Sequence, residues 1–339
     1  MSSVTVESGS NIAFIKYWGA RDLERVVPFN RSLSMTLDTC RSICSLEFRD
    51  GVVGDDEVWL AAPDGTLTAA DDVFAGRVLR QLDRLRSYFD KSGQIVMATR
   101  NTFPSSAGIA SSASGFSALT VAATRALGAD CDGAELSRLS MLSGSGSASR
   151  SVFGGYVEWS DRDEGQVGAH QVRDESWWTL HDLIVVVDTE PKEVSSRDGH
   201  RLATTSPYFE ARLRDVKGRR IRGALEAVEA RDFDALGPIV EEEAIDMHLI
   251  AMSSSPPIFY WKPATLTVLD AVRRARQDGL AGWSTLDAGA NVHVICEPSS
   301  SDELAVRLEA LDGVVEVIRD HTGGPPQVRA GADLLAGKR

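Results

Sequence analysis

The sequence predicts an α+β fold in two domains, and three observations carry that prediction. The 339 residues exceed what a single hydrophobic core usually organises. Strand-like and helix-like runs are mixed without the regular strand–helix–strand repetition of a doubly wound sheet. Hydrophobic residues make up 43% of the chain and charged residues 25%, the balance of an ordinary globular protein.

Taken in order, strand-like runs at 3–7, 32–37 and 41–48 come first. An amphipathic helix follows over 71–89, with Val73, Phe74, Val78, Leu82 and Leu85 on one face and Arg77 read as a surface residue. A strand at 95–99 then feeds a small-residue loop and a helix starting near Ser111. Leu136, Leu139 and Leu142 recur at helical spacing, and a strand-like run at 153–159 comes next. The run at 183–188 is expected to close the first half, which sets domains at 1–188 and 189–332. The second half reads as helices over 208–231, 233–252 and 265–278. Strands at 291–296 and 314–318 then flank a helix over 302–311.

Composition narrows the function classes. The net charge of −13 disfavours nucleic acid and anionic membrane surfaces as partners. No apolar run approaches transmembrane length, and the first residues lack a basic-then-apolar signal, so a cytoplasmic protein is expected. The four cysteines form no metal-ligand pattern and are expected to be reduced thiols. Glu241, Glu242 and Glu243 near His248 are read as an exposed helical face rather than a metal site.

Four segments carry candidate chemistry. Pro104, Ser105, Ser106, Ala107, Gly108, Ile109, Ala110, Ser111 and Ser112 form a loop opening a helix, where free N–H groups and the helix dipole favour phosphate. No Gly-Lys-Ser/Thr follows, so it is not a Walker A loop. A second small-residue loop contains Ser145, Gly146, Ser147, Ala148, Ser149 and Arg150, whose guanidinium fork suits phosphate. Near the start stand Asn11, Lys16, Tyr17, Trp18, Gly19 and Ala20. Late in the chain, Asp287 lies between an apolar strand and a glycine turn that ends at Asn291.

Together, Asn-Ile-Ala-x-Ile-Lys-Tyr-Trp-Gly, the Pro-x-x-x-Gly-x-x-Ser-Ser loop, Ser-Gly-Ser-x-x-Arg-Ser followed by Gly-Gly-Tyr-Val-Glu-Trp, and Asp-Ala-Gly-x-Asn resemble the diphosphomevalonate decarboxylases. These ATP-dependent enzymes belong to the GHMP kinase superfamily, and the motifs span nearly the whole chain in family order. The resemblance implies a ribosomal-protein-S5-like N-terminal domain, a ferredoxin-like C-terminal domain, an active site in the cleft between them, and a homodimer. It implies ATP and Mg²⁺ on the first loop, with Ser111 as metal ligand and Asn101 helping to seat the nucleotide. It assigns Asp287, Lys16 and Arg150 to catalysis. Substrate falls to Tyr17, Trp18, Gly19, Ala20, the 145–150 loop and Arg197, with Lys192 and Arg21 adding local positive charge.

Departures from the pattern bear on the substrate. Ala20 stands where the family has a lysine associated with the diphosphate end, and His200 stands where it often has methionine. One ammonium fewer leaves less charge for a diphosphate. The expected substrate is therefore 5-phosphomevalonate, phosphorylated on its 3-hydroxyl and decarboxylated to isopentenyl phosphate. The alternatives are a 5-diphosphomevalonate decarboxylase giving isopentenyl diphosphate, a mevalonate-type kinase that does not decarboxylate, and a non-catalytic binding protein on the same fold.

Overall fold

The computed structural model describes residues 3–104, 111–163, 166–190 and 192–338. In chain order the first part contains β1 (Val4–Ile15), β2 (Ala20–Asp22), β3 (Val27–Pro28), β4 (Ser32–Asp50), β5 (Glu57–Ala61) and β6 (Leu67–Ala69). It continues with α1 (Asp72–Tyr88), β7 (Gly93–Asn101), α2 (Ser111–Ala126), α3 (Gly133–Met141), β8 (Tyr156–Asp163) and β9 (Gln166–Arg173). The second part contains β10 (His181–Val186), α4 (Ser196–Leu202), α5 (Phe209–Asp215), α6 (Ile221–Ala230), α7 (Phe233–Met252) and α8 (Pro263–Gln277). Then come β11 (Gly282–Thr285), β12 (Val292–Cys296), α9 (Pro298–Glu309), β13 (Glu316–His321) and β14 (Gln327–Val328).

The long strands β1 and β4 pair antiparallel from Val4↔Leu46 to Ile15↔Leu33 and form the spine of a sheet ordered β14-β1-β4-β7-β5-β6. β8 extends from β4 and carries β9. α1, capped by Asp71 accepting from the Phe74 amide, buries Val78, Leu82 and Leu85, while Val73, expected on that face, is 77% exposed. Val73 lies in the first turn, before the helix reaches the core. Buried Gln81 joins α1 to its neighbours by donating to the Leu139 carbonyl (2.9 Å) and to Thr120 Oγ1 (3.3 Å).

α2 lies against the spine through small residues, which let backbones approach closely. Ser8 Oγ donates to Ser117 Oγ at 2.9 Å, and Ser42 and Ser114 share a hydroxyl bond of 2.7 Å. These buried hydroxyls satisfy one another, which removes the penalty for placing polar groups inside. The start of α2 is thereby fixed beside the end of β7.

The second sheet runs β11-β12-β10-β13. β10 therefore does not close the first half as expected; it hydrogen-bonds to β12 and β13, so the break between sheets falls before His181. Its alternation explains why. Leu183 and Val185 join the core beneath α7, α8 and α9, while Ile184 and Val186 join Ile12, Phe14, Leu33 and Met35. The two sheets thus share one apolar layer. Asp320 of β13 reinforces that layer by accepting from the amides of Asp38, Thr39 and Cys40 at 2.7–2.8 Å. The expected helix over 208–231 is two helices, α5 and α6, joined by a widened π turn over Val216–Arg220 that contains Gly218. Among the described residues no helix is long and apolar enough to cross a membrane.

Candidate active site

Lys16 follows directly on β1, and Asp287 stands two residues past the end of β11, after the buried Leu286. The fold brings them together across 271 residues, with Lys16 Nζ donating to Asp287 Oδ1 at 2.8 Å. The two side chains are unequal in exposure, 2% for Lys16 and 29% for Asp287. Burial would raise the Asp287 pKa, but Lys16, His293 and Arg150 together hold it below the usual carboxylate range. The result is an ionised carboxylate that opens outward above a buried ammonium. Near Asp287 the imidazole of His248 is held neutral by burial and by the Lys16 charge, its pKa lowered to about 3.

Lys16 is anchored at every polar group. Its amide donates to Glu243 Oε1 (3.1 Å), and its carbonyl accepts from Asn30 Nδ2 (3.0 Å) and Arg212 Nη2 (3.4 Å). Glu243 and Arg212 were not among the expected site residues. Glu243, read as part of an exposed acidic face, is instead fully buried, because Leu236, Val240, Glu243 and Met247 form the inward stripe of α7. It bonds Arg212 and also Arg220, the latter at 2.8 Å. The signal was present in the spacing, since Glu243 falls in step with apolar residues three and four positions away.

Arg150 is buried beside the same carboxylate. Nη1 donates to Ser32 Oγ (2.9 Å) and Nη2 to Asn11 Oδ1 (3.3 Å), while Nε is buried without a partner. Burial lowers its pKa to about 10, which leaves it cationic at neutral pH. Asn11 in turn donates to the Ser147 carbonyl and to Ser151 Oγ, so β1 fastens the loop that carries Arg150.

Within that loop the expected ligand residues divide. Ser145 and Ser147 share a hydroxyl bond of 3.0 Å and remain partly exposed or near the surface of the loop. Gly146, Ala148 and Ser149 turn inward, which leaves their backbone groups to meet any ligand of the loop. A Cβ on Gly146 would lie 2.7 Å from the Trp159 ring. Ala148 belongs to the core, and Ser149 Oγ donates to the Gly146 carbonyl at 2.7 Å. Trp18 is also a packing residue, buried among Phe209, Met247 and Tyr260.

Tyr17 stays half-open, with its hydroxyl pKa pushed up by burial against the pull of Arg150 and Arg197. Arg197 is exposed on α4, near enough to Gly144 that a Cβ there would lie 3.9 Å from its Nη1. Lys192 donates to the Ala288 carbonyl, next to Asp287. Gly19 makes the turn with φ +86°, and Ala20 begins β2.

On the nucleotide side, Ser105, Ser106, Ala107, Gly108, Ile109 and Ala110 lie outside the described residues. Pro104 is exposed, and Ser111 and Ser112 open α2 half-buried, with no acidic residue in the first turn. Asn101 ends β7, where its Oδ1 accepts from Ser42 Oγ at 2.7 Å.

Comparison with known proteins agrees with this arrangement over almost its whole length. Residues 8–170 match the model for a diphosphomevalonate decarboxylase-like N-terminal domain, and residues 182–328 that for a mevalonate 5-diphosphate decarboxylase C-terminal domain. The diphosphomevalonate decarboxylase of Ganoderma lucidum is 33% identical over 328 residues, spanning 90% of this chain and 80% of its own. A crystal structure of mevalonate diphosphate decarboxylase from Staphylococcus aureus has a TM-score of 0.87 at 29% identity, covering 97% of this chain and 98% of that one. A structure described as MDDEF in complex with MVAPP, AMPPCP and magnesium has a TM-score of 0.86 at 32% identity, covering 96% and 98%.

Proposed function

The chain belongs to the diphosphomevalonate decarboxylase family, and on that premise we propose that it converts 5-diphosphomevalonate and ATP to isopentenyl diphosphate, ADP, phosphate and carbon dioxide. The observation that carries this reading is the Lys16–Asp287 pair, a partly open carboxylate kept ionised by a buried ammonium. The substrate expected from Ala20, 5-phosphomevalonate, is given up. The matching relative and solved structures bear diphosphate names and cover the chain nearly end to end. Ala20 removes one ammonium, but Arg150, Arg197 and Lys192 remain as cations of the site.

A tertiary hydroxyl is a weak nucleophile, and Asp287 orients the 3-hydroxyl and takes its proton late in the transfer. The γ-phosphoryl group moves to that oxygen. The C3–O bond then breaks with loss of phosphate while the bond to the carboxylate breaks with loss of carbon dioxide, and its electron pair becomes the alkene. Lys16 neutralises charge between Asp287 and the substrate carboxylate. Arg150, with its unpartnered Nε, Tyr17, Ser145, Ser147 and Arg197 hold the substrate's phosphates. Trp18, Gly19 and Ala20 shape the turn that presents Tyr17.

The start of α2 fits a triphosphate. Its first turn carries two serines and no acidic side chain to repel an anion, and the opening amides of a helix have no intrahelical partner. Ser111 would hold Mg²⁺, which would supply charge neutralisation for the ATP phosphates. A cytoplasmic homodimer is part of the same proposal, and light scattering on the purified protein tests the dimer.

Asp287→Asn tests the reading directly. It should abolish product formation from 5-diphosphomevalonate while nucleotide affinity stays within about twofold, since a lost catalytic carboxylate removes stabilisation of the transition state rather than of bound ATP. Near-normal turnover in the variant would remove Asp287 from the mechanism.

A further inference from the structure

His200 sits at the junction between α4 and the turn that follows Lys16. Its Nδ1 accepts a hydrogen bond from the Gly19 amide at 3.0 Å. Its ring lies 4.1 Å from Tyr17 and 4.9 Å from Trp18, centroid to centroid, tilted by 32° and 41°. One residue earlier, Gly199 gives the Trp18 indole its seat. A Cβ at Gly199 would fall 2.4 Å from Trp18 Cη2 and 2.7 Å from the Tyr260 hydroxyl. An acceptor at Nδ1 fixes the tautomer with its proton on Nε2.

We propose that His200 is a positioning residue for the substrate's phosphate end, a latch that ties α4, and with it Arg197, to the Tyr17–Trp18–Gly19 turn. The latch needs a neutral imidazole, and the site enforces one. Burial, helped by the Arg212 charge, lowers the His200 pKa to about 3. Lys16 does not depend on the latch, because Glu243, Asn30 and Asp287 hold it separately. Loss of the latch should therefore loosen substrate binding and spare the chemical step. Methionine could fill the same space but could not accept from an amide with comparable strength.

The role in substrate binding rests on the function proposed above, while the latch itself can be tested in the free protein. The amide of Gly19 should exchange hydrogen slowly in the wild type, faster in His200→Met, and slowly again in His200→Asn, whose amide oxygen reaches the Nδ1 position. In steady-state assays, His200→Met should raise KM for 5-diphosphomevalonate about 3- to 10-fold, the factor of one lost neutral hydrogen bond, with kcat and the KM for ATP changed less than about twofold. His200→Asn should restore the KM. Should the methionine variant fail to fold, His200→Gln, whose acceptor lies one bond farther out, takes its place. Unchanged exchange at Gly19 overturns the latch. Faster exchange with an unchanged KM, or a fall confined to kcat, overturns the positioning role. A wild type that turns over no 5-diphosphomevalonate overturns the proposed function and the binding role with it, and leaves the exchange result to decide the latch.

Discussion

At the scale of single residues the fold pairs Lys16 with Asp287, and both were legible in the sequence through the motifs around them. The inward turn of Gly146, Ala148 and Ser149 was not, because motif order says which residues share a loop and not which side chains face its interior. Arg150 occupies a site that a point charge does not fill, since two of its nitrogens bond Ser32 and Asn11 at once. Arg150→Lys should therefore lower kcat/KM by the equivalent of about 1.5–3 kcal/mol, read in steady-state assays. His248, 1% exposed, makes a second residue-scale prediction. Its pKa of about 3 lies below the value near 6.5 of an unfolded histidine, so below pH 6.5 only the unfolded chain takes up the proton. That stability is fully present at pH 7 and is lost as pH falls toward 3. Between pH 7 and pH 5 the loss should be about 2 kcal/mol in urea unfolding, and His248→Gln should flatten the slope by that amount. Parallel slopes in the two proteins would show that His248 does not carry the effect.

Among the elements, the amphipathic helices were the most legible, because burial repeats along them. α7 spans the expected 233–252, and α1 is shorter by one residue at each end than the expected 71–89. The helix expected over 208–231 breaks at the π turn, where Arg219 and Arg220 reach Asp215, Glu242, Glu243 and Asp246. A pattern of apolar spacing does not register a change of helical pitch. α4 was not expected as a helix at all. Seven residues are too few for periodicity, and its seat is set by Trp18, far away in the sequence. Gly199→Ala places a methyl group into that contact and should destabilise the protein by about 1–3 kcal/mol. Thermal unfolding measures the loss, and an unchanged Tm would mean that Trp18 and α4 separate freely.

At the scale of the whole molecule, the two sheets do not behave as independent bodies joined by a cleft. β10 contributes alternate residues to both sides of the boundary, Asp320 of β13 holds the Asp38, Thr39 and Cys40 amides of β4, and Glu243 of α7 grips the Lys16 backbone. This coupling was hidden from a reading that closed the first half at residue 188, because a strand's face assignments depend on what the other chain segments bring against it. Glu243→Gln should destabilise the protein by about 3–5 kcal/mol, since Arg212 and Arg220 would be left buried with less opposing charge. Denaturant unfolding that shows a loss below about 1 kcal/mol would assign the network a minor part.

All of this architecture serves one reaction, and its stoichiometry is the most direct test. Purified protein with ATP and Mg²⁺ should release carbon dioxide and ADP in equal amounts from 5-diphosphomevalonate, and far less from 5-phosphomevalonate or mevalonate. Preference for the monophosphate, or ADP formed without carbon dioxide, would contradict the account.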